Sequence, residues 1–162
     1  MNIFVLDNDP VKAAKFLCNK HVLKMVIESA QLACTVRHKL GDTQPIPYRP
    51  THQNHPACNW AGKNVHNYTW LCQHGLGICV EYTFRYGKIH KCQQVISDCF
   101  SRAGYLNFPD SSTEMTPFVQ CMPEQYRKSD AVQAYRTYYI EDKLKNIDCR
   151  WTKREIPEWL SG

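Results

Sequence analysis

KHVLKMVIESAQLACTVRHKL, residues Lys20–Leu40, decides the fold. Val22, Leu23, Met25, Val26, Ile27, Ala30, Leu32, Ala33, Cys34 and Val36 make it apolar over most of a helical circumference, so the spacing predicts a helix largely surrounded by protein. His21, Lys24, Glu28, Gln31 and Thr35 interrupt that coat at steps of 3, 4, 3 and 4, which stack all five on one narrow face. Polar groups on a buried helix are costly unless they pair or line a solvated cavity. The stripe therefore reads either as the wall of a polar pocket or as a solvent edge with Lys24 and Glu28 as an ordinary i,i+4 pair.

On the N-terminal side, Asn2–Leu6 reads as one short strand. Asp9-Pro10 is a helix start, an N-cap acid before a proline at the first helical position, and helical pattern runs from Pro10 to about Cys18. On the C-terminal side, Gly41 stops the helix and prolines 45, 47 and 50 make 42–55 a loop. His55-Pro56 opens a short helix to Gly62 and delivers His55 toward the pocket. Lys63–Tyr86 is a long helix ending at Gly87, another covers about His90–Ala103, and 105–128 is irregular. The last clear helix spans Asp130–Lys145. The expected architecture is mainly α: one domain over 1–162, a helical bundle with one short N-terminal β-strand.

The long helix repeats the grammar. Asn67, Trp70, His74, Gly77, Glu81, Arg85 and Lys88 step by 3 and 4, and two helices of this kind suggest a shared polar cavity. Arg85 through Lys91 gathers Arg85, Lys88, His90 and Lys91 around Gly87, either to clamp an anion or to complement the helix dipole. Arg136, Tyr139 and Lys143 share a face of the last helix, beside Tyr135 and Tyr138. That pattern fits core packing as well as base stacking with phosphate binding.

At 162 residues, with 43% hydrophobic and 22% charged residues, the chain is globular. No apolar run is long enough to span a bilayer and the opening is not a signal peptide, so no membrane partner and an intracellular location are expected. The nine cysteines form no C-x-x-C pair, and their odd count without an export signal favours reduced, packed thiols. A net charge of +5 permits a phosphate-bearing ligand without demanding one. His52-x-x-His55-x-x-Cys58 lacks a second half, so no metal and no cofactor are assigned, and no nucleotide-loop, hydrolase or zinc-deaminase motif is present. Oligomeric state is left open.

The opening MNIFVLD-x-DP, with Lys20-His21-Val22-x-Lys24-Met25, Arg85-Tyr86-Gly87-Lys88-x-His90, Ala134-Tyr135-Arg136-x-Tyr138-Tyr139 and the tail WTKRE-x-PEW, resembles a family of short proteins encoded by tailed bacteriophages. The resemblance covers nearly the whole chain. It implies a phage origin and the cytoplasm of a bacterial host, and it carries over no catalytic residues.

Three functions then compete. One is an enzyme acting on DNA or nucleotide bases, such as a transferase in DNA-base modification. Its acid/base groups would be His21, Glu28, His55 and Glu81, and its ligand or phosphate contacts Lys24, Gln31, Asn67, Arg85, Lys88, His90, Arg136, Tyr139 and Lys143. Another is a non-catalytic sponge for a phosphorylated nucleotide signal in anti-defence. The third is a protein that blocks a host factor through its surface. A nucleotide or DNA is the expected ligand of the first two.

Overall fold

The computed structural model describes residues 1–161. Six helices carry the fold: α1 (Pro10–Phe16), α2 (Asn19–Lys39), α3 (Pro56–Ala61), α4 (Val65–Tyr86), α5 (Cys92–Arg102) and α6 (Ala131–Tyr138). A π-helical turn, Tyr139–Lys143, prolongs α6, and short 3₁₀ turns at Ala103–Tyr105, Glu124–Tyr126 and Glu158–Leu160 punctuate the loops. The mainly helical single domain is as the sequence predicts.

Helix starts follow local chemistry. The Asp9 carboxylate accepts from the N–H groups of Val11 and Lys12 ahead of Pro10. Asn64 and Asp130 cap α4 and α6 in the same way, through Asn67 N–H and Gln133 N–H. Gly87, at φ +68°, ends α4 in the left-handed conformation that glycine adopts without steric cost.

α4 is the spine, packed along α1 and α2 with α5 on its flank. Close approach explains its two mid-helix glycines. A Cβ on Gly77 would stand 3.1 Å from Ala14 Cβ of α1, and one on Gly75 would stand 3.1 Å from both Ser29 Cβ of α2 and Ile96 Cδ1 of α5. The cysteines pack as small apolar groups: all nine are free and seven are buried.

The expected strand is absent. Among the described residues there is no β-structure, and 2–6 is an irregular buried segment with no strand to pair with. Its backbone is tied by side chains instead: Asn2 Oδ1 accepts from the N–H groups of Ile3 and Phe4, and Asn2 Nδ2 donates to the Cys121 carbonyl at 2.8 Å. Phe4 takes φ +37°, an uncommon conformation for a non-glycine residue and incompatible with a regular strand.

Candidate active site

The polar stripe of α2 is split: Lys24 faces water and pairs with Glu28 at i,i+4, while His21, Glu28 and Thr35 are covered. The water-facing residues are Lys20, Leu23, Lys24, Ile27, His38 and Lys39, with Leu23 45% and Ile27 41% exposed, which corrects the expected place of these two in the core. Thr35 is fully buried and bonds to the loop through the Thr51 carbonyl and N–H. His21 and Glu28 are 6% and 8% exposed, because the N-terminal segment and the end of α6 lie over that flank. Gln31 is half-buried.

Glu28 has three polar neighbours. Its Oε2 accepts from the Asn2 N–H at 2.9 Å and lies 3.9 Å from the Met1 amino group. Its Oε1 is 3.7 Å from Lys24 Nζ, whose side chain is 68% exposed. A carboxylate thus sits between two amines, at the edge of solvent. His55 stands alongside, held below its ordinary pKa by burial first and then by the positive charges of Met1 and His52, against the opposing pull of Glu28. Its Nδ1 accepts from the Ala57 N–H, so the cap that starts α3 also fixes the ring and puts the hydrogen of the neutral imidazole on Nε2. An adjoining cleft of about 550 Å³ is lined by His55, Phe118, Cys121 and Arg127 among others.

His21 lies two turns from Glu28 on the same face, about 10 Å along the axis. Its Nδ1 is 2.6 Å from the Tyr139 hydroxyl, which also accepts from the Cys18 N–H at 3.0 Å. With its hydrogen given to His21, the hydroxyl leaves the imidazole as acceptor. Burial, helped by the charges of Lys143 and Lys24, pushes His21 down to about pKa 4, so the ring is neutral at pH 7. Phe4 stacks on it at 4.6 Å between ring centroids and also packs against Tyr139, so the strained residue of the N-terminal segment holds the imidazole in place. His21, Glu28, His55, Lys24, Tyr139 and Lys143 therefore belong to one neighbourhood.

The α4 stripe does not join them. Glu81 is 1% exposed and its two oxygens accept from Arg85 Nε at 3.1 Å and from Arg154 at 2.7 and 3.1 Å. Arg85 is equally buried and also donates to the carbonyls of Leu17 and Lys15 and to Asn19 Oδ1. Both Glu81 oxygens and all three Arg85 guanidinium nitrogens are occupied, so Glu81 is not a free acid or base and Arg85 is not a free phosphate clamp. They lock α1 and the C-terminal tail to α4. Asn67 is likewise spent: Nδ2 donates to the Trp60 carbonyl and Thr116 Oγ1, and Oδ1 accepts from the Thr116 N–H. His74 is wholly buried against Trp70, and neither ring nitrogen has a partner among the described residues.

The Arg85–Lys91 cluster does not converge either. Arg85 points inward, Lys88 is exposed, and His90 accepts from the Cys92 N–H as the entrance to α5. Arg136 lies elsewhere, donating to the Leu6 carbonyl and to Asp7 with Trp159 and Phe16 against its guanidinium. His52, His55 and Cys58 do not gather: among the described residues no group of three or more His, Cys, Asp or Glu is placed to hold a metal.

Sequence reasoning missed Met1, Asn2, Phe4, Cys121 and Arg127. For Met1, Asn2 and Phe4 the signal was the unusual opening, whose apolar run of four reads as a strand whatever covers it, while Cys121 and Arg127 lie in the irregular stretch 105–128 and carry no local signal.

A family model described as pyrimidine dimer DNA glycosylase matches residues 1–94. That span contains Glu28, Lys24, His21 and His55 and excludes α6 and the tail. Neither the curated proteins nor the solved structures give a match. Among the described residues no helix is long and apolar enough to cross a membrane.

Proposed function

The chain belongs to the pyrimidine dimer DNA glycosylase family, a family of DNA-acting enzymes, and from that premise we propose that the Glu28 centre breaks the bond between a base and its deoxyribose in DNA. One observation carries this reading: a carboxylate shielded from water stands within 4 Å of two primary amines, at Met1 and Lys24. Cleaving an N-glycosidic bond builds positive charge at C1′, which a neighbouring carboxylate stabilises. An unprotonated amine is a competent nucleophile toward that carbon. Its lone pair forms the new C1′–N bond as the base departs with the electrons of the old one. The base then takes up a proton, and the amine gives its surplus proton to Glu28. Exposed Lys20 and Lys24 beside Leu23 and Ile27 supply a surface for the phosphates and the bases around the target.

Group transfer to a DNA base is the second reading, favoured by His21. The neutral imidazole accepts at Nδ1 from the Tyr139 hydroxyl, so a proton from an incoming nucleophile would reach it through that hydroxyl, although both side chains are buried. The two chemistries leave different products.

The test uses duplex DNA carrying pyrimidine dimers and the full chain, followed by borohydride reduction and mass measurement of both DNA and protein. Amine-driven cleavage yields a reducible protein–DNA adduct and an abasic strand. Transfer leaves the strand intact with mass added to a base. Glu28→Gln, with an unchanged circular dichroism spectrum, should lower turnover by roughly a hundredfold or more. Full activity in Glu28→Gln rules out the assignment.

A further inference from the structure

A second cleft, of about 660 Å³, opens between α1, the end of α6 and the C-terminal tail. Lys12, Lys15, Arg136, Lys153 and Arg154 line it, and the Phe16 and Trp159 rings form part of its wall. None of the groups at the Glu28 centre lines it, and Arg136, Lys153 and Arg154 lie outside the matched span 1–94.

The two arginines are pre-set. Arg136 is fixed by the Leu6 carbonyl and Asp7, with its guanidinium carbon 5.7 Å from the Phe16 ring and 5.3 Å from the Trp159 ring. Arg154 is held by both oxygens of Glu81 and lies 4.0 Å from the Phe84 ring. Their partners offset much of their charge, and Glu155 and Glu158 also face the cleft. Lys12, Lys15 and Lys153 are different: exposed at the rim and in no ion pair among the described residues. Trp159 adds an indole N–H that is buried without an acceptor among the described residues. Uncompensated ammonium groups over a ring-walled floor with a spare donor suit a ligand that brings both phosphate and a flat ring.

We propose that this cleft is a binding site for a phosphate-bearing nucleotide unit, separate from the Glu28 centre, with Lys12, Lys15 and Lys153 on the phosphate and Trp159 against the base. The ligand class rests on the DNA-directed reading above; the site itself rests on the cleft. The unit is either a free nucleotide or part of a DNA strand passing over the tail.

The experiment titrates thymidine 5′-monophosphate, and separately single-stranded (dT)8, into the full chain and into Lys12→Glu/Lys15→Glu/Lys153→Glu. Calorimetry and tryptophan fluorescence read binding. All three lysines are exposed, so the variant should fold, which its thermal midpoint checks. Binding of the mononucleotide, weakened at least about tenfold in the variant, supports the free-nucleotide source. Binding of (dT)8 alone, weakened likewise and with its logarithmic salt slope reduced by about 2, supports the strand. Equal affinities in wild type and variant, or no binding of either ligand to wild type, overturn the proposal. Because these ligands carry no dimer, a failed cleavage assay with intact nucleotide binding sinks the Glu28 reading and leaves this one standing. The reverse pattern does the opposite.

Discussion

Glu81→Gln separates a structural carboxylate from a catalytic one. In the folded protein Glu81 is 1% exposed and balances two guanidinium groups, that of Arg85 fully buried and that of Arg154 partly so. The amide keeps the shape but removes the charge. One oxygen still accepts, while an N–H donor now faces an arginine donor. Removing one partner of a buried ion pair costs about 3–5 kcal/mol, because the remaining charge stays out of water. For a chain of this size each kcal/mol moves the thermal midpoint by roughly 2–4 °C, so a fall of about 6–20 °C is expected. Calorimetry at pH 7 gives the midpoint, and the cleavage assay, run well below it and scaled to the folded fraction, gives activity per native molecule. That activity should stay within about threefold of wild type, since a group that touches no substrate contributes nothing to the transition state directly. A variant with an unchanged midpoint and a hundredfold loss of activity would refute the structural assignment and return Glu81 to the catalytic set.

Other perturbations probe the remaining links. His74→Phe should stabilise the protein by about 1–3 kcal/mol, since it replaces an unpartnered buried polar ring by an apolar one stacked on Trp70; urea denaturation at pH 7 decides, and a loss of stability means an unseen partner. Burial pushes His74 down to about pKa 3 and His21 to about 4, both below the ordinary 6.5. The unfolded chain therefore binds more protons than the native one, so the stability is fully present above pH 6.5 and is lost as pH falls toward those values. His21 alone contributes about 3 kcal/mol to that acid loss, and a flat stability profile between pH 6.5 and 4 contradicts it. Tyr139→Phe strips the partner from His21 Nδ1 and the Cys18 N–H; roughly 1–3 kcal/mol should be lost, with the imidazole titration, followed by NMR, displaced from its wild-type position. Gly77→Val should cost about 1–3 kcal/mol by driving side-chain atoms into Ala14 and the α1 backbone, and thermal melts as stable as wild type would show that α1 yields freely.

Much of the scaffold was legible. Asp9-Pro10, His55-Pro56 and Gly87 mark element ends through short-range chemistry that needs no tertiary partner, and each stands where its residues place it. The α2 stripe does bring Lys24, Glu28 and His21 to one face, beside Met1 and Tyr139. The α4 stripe misled because periodicity reports which residues share a face and not what covers it. Asn67, Glu81 and Arg85 show the same 3–4 spacing that a pocket wall would show, yet their partners are Thr116, Arg154 and Leu17, all distant in sequence. Leu23 and Ile27 failed for the same reason: hydrophobicity favours burial, but the neighbouring elements reach only part of the helix circumference.

By itself the sequence determined the helical class, the single domain and most helix ends, because capping, proline geometry and the 3.6-residue period act within a few residues of each other. Tertiary structure alone decided which polar groups are spent and which are available. It folds 2–6 over α2 so that Asn2 N–H and the Met1 amine meet Glu28, and it brings Tyr139 across the chain to His21. It also closes the tail on α1 to form the cationic cleft. Those contacts join residues up to 143 positions apart, and electrostatics and hydrogen bonding depend on distance in space, which no local pattern encodes.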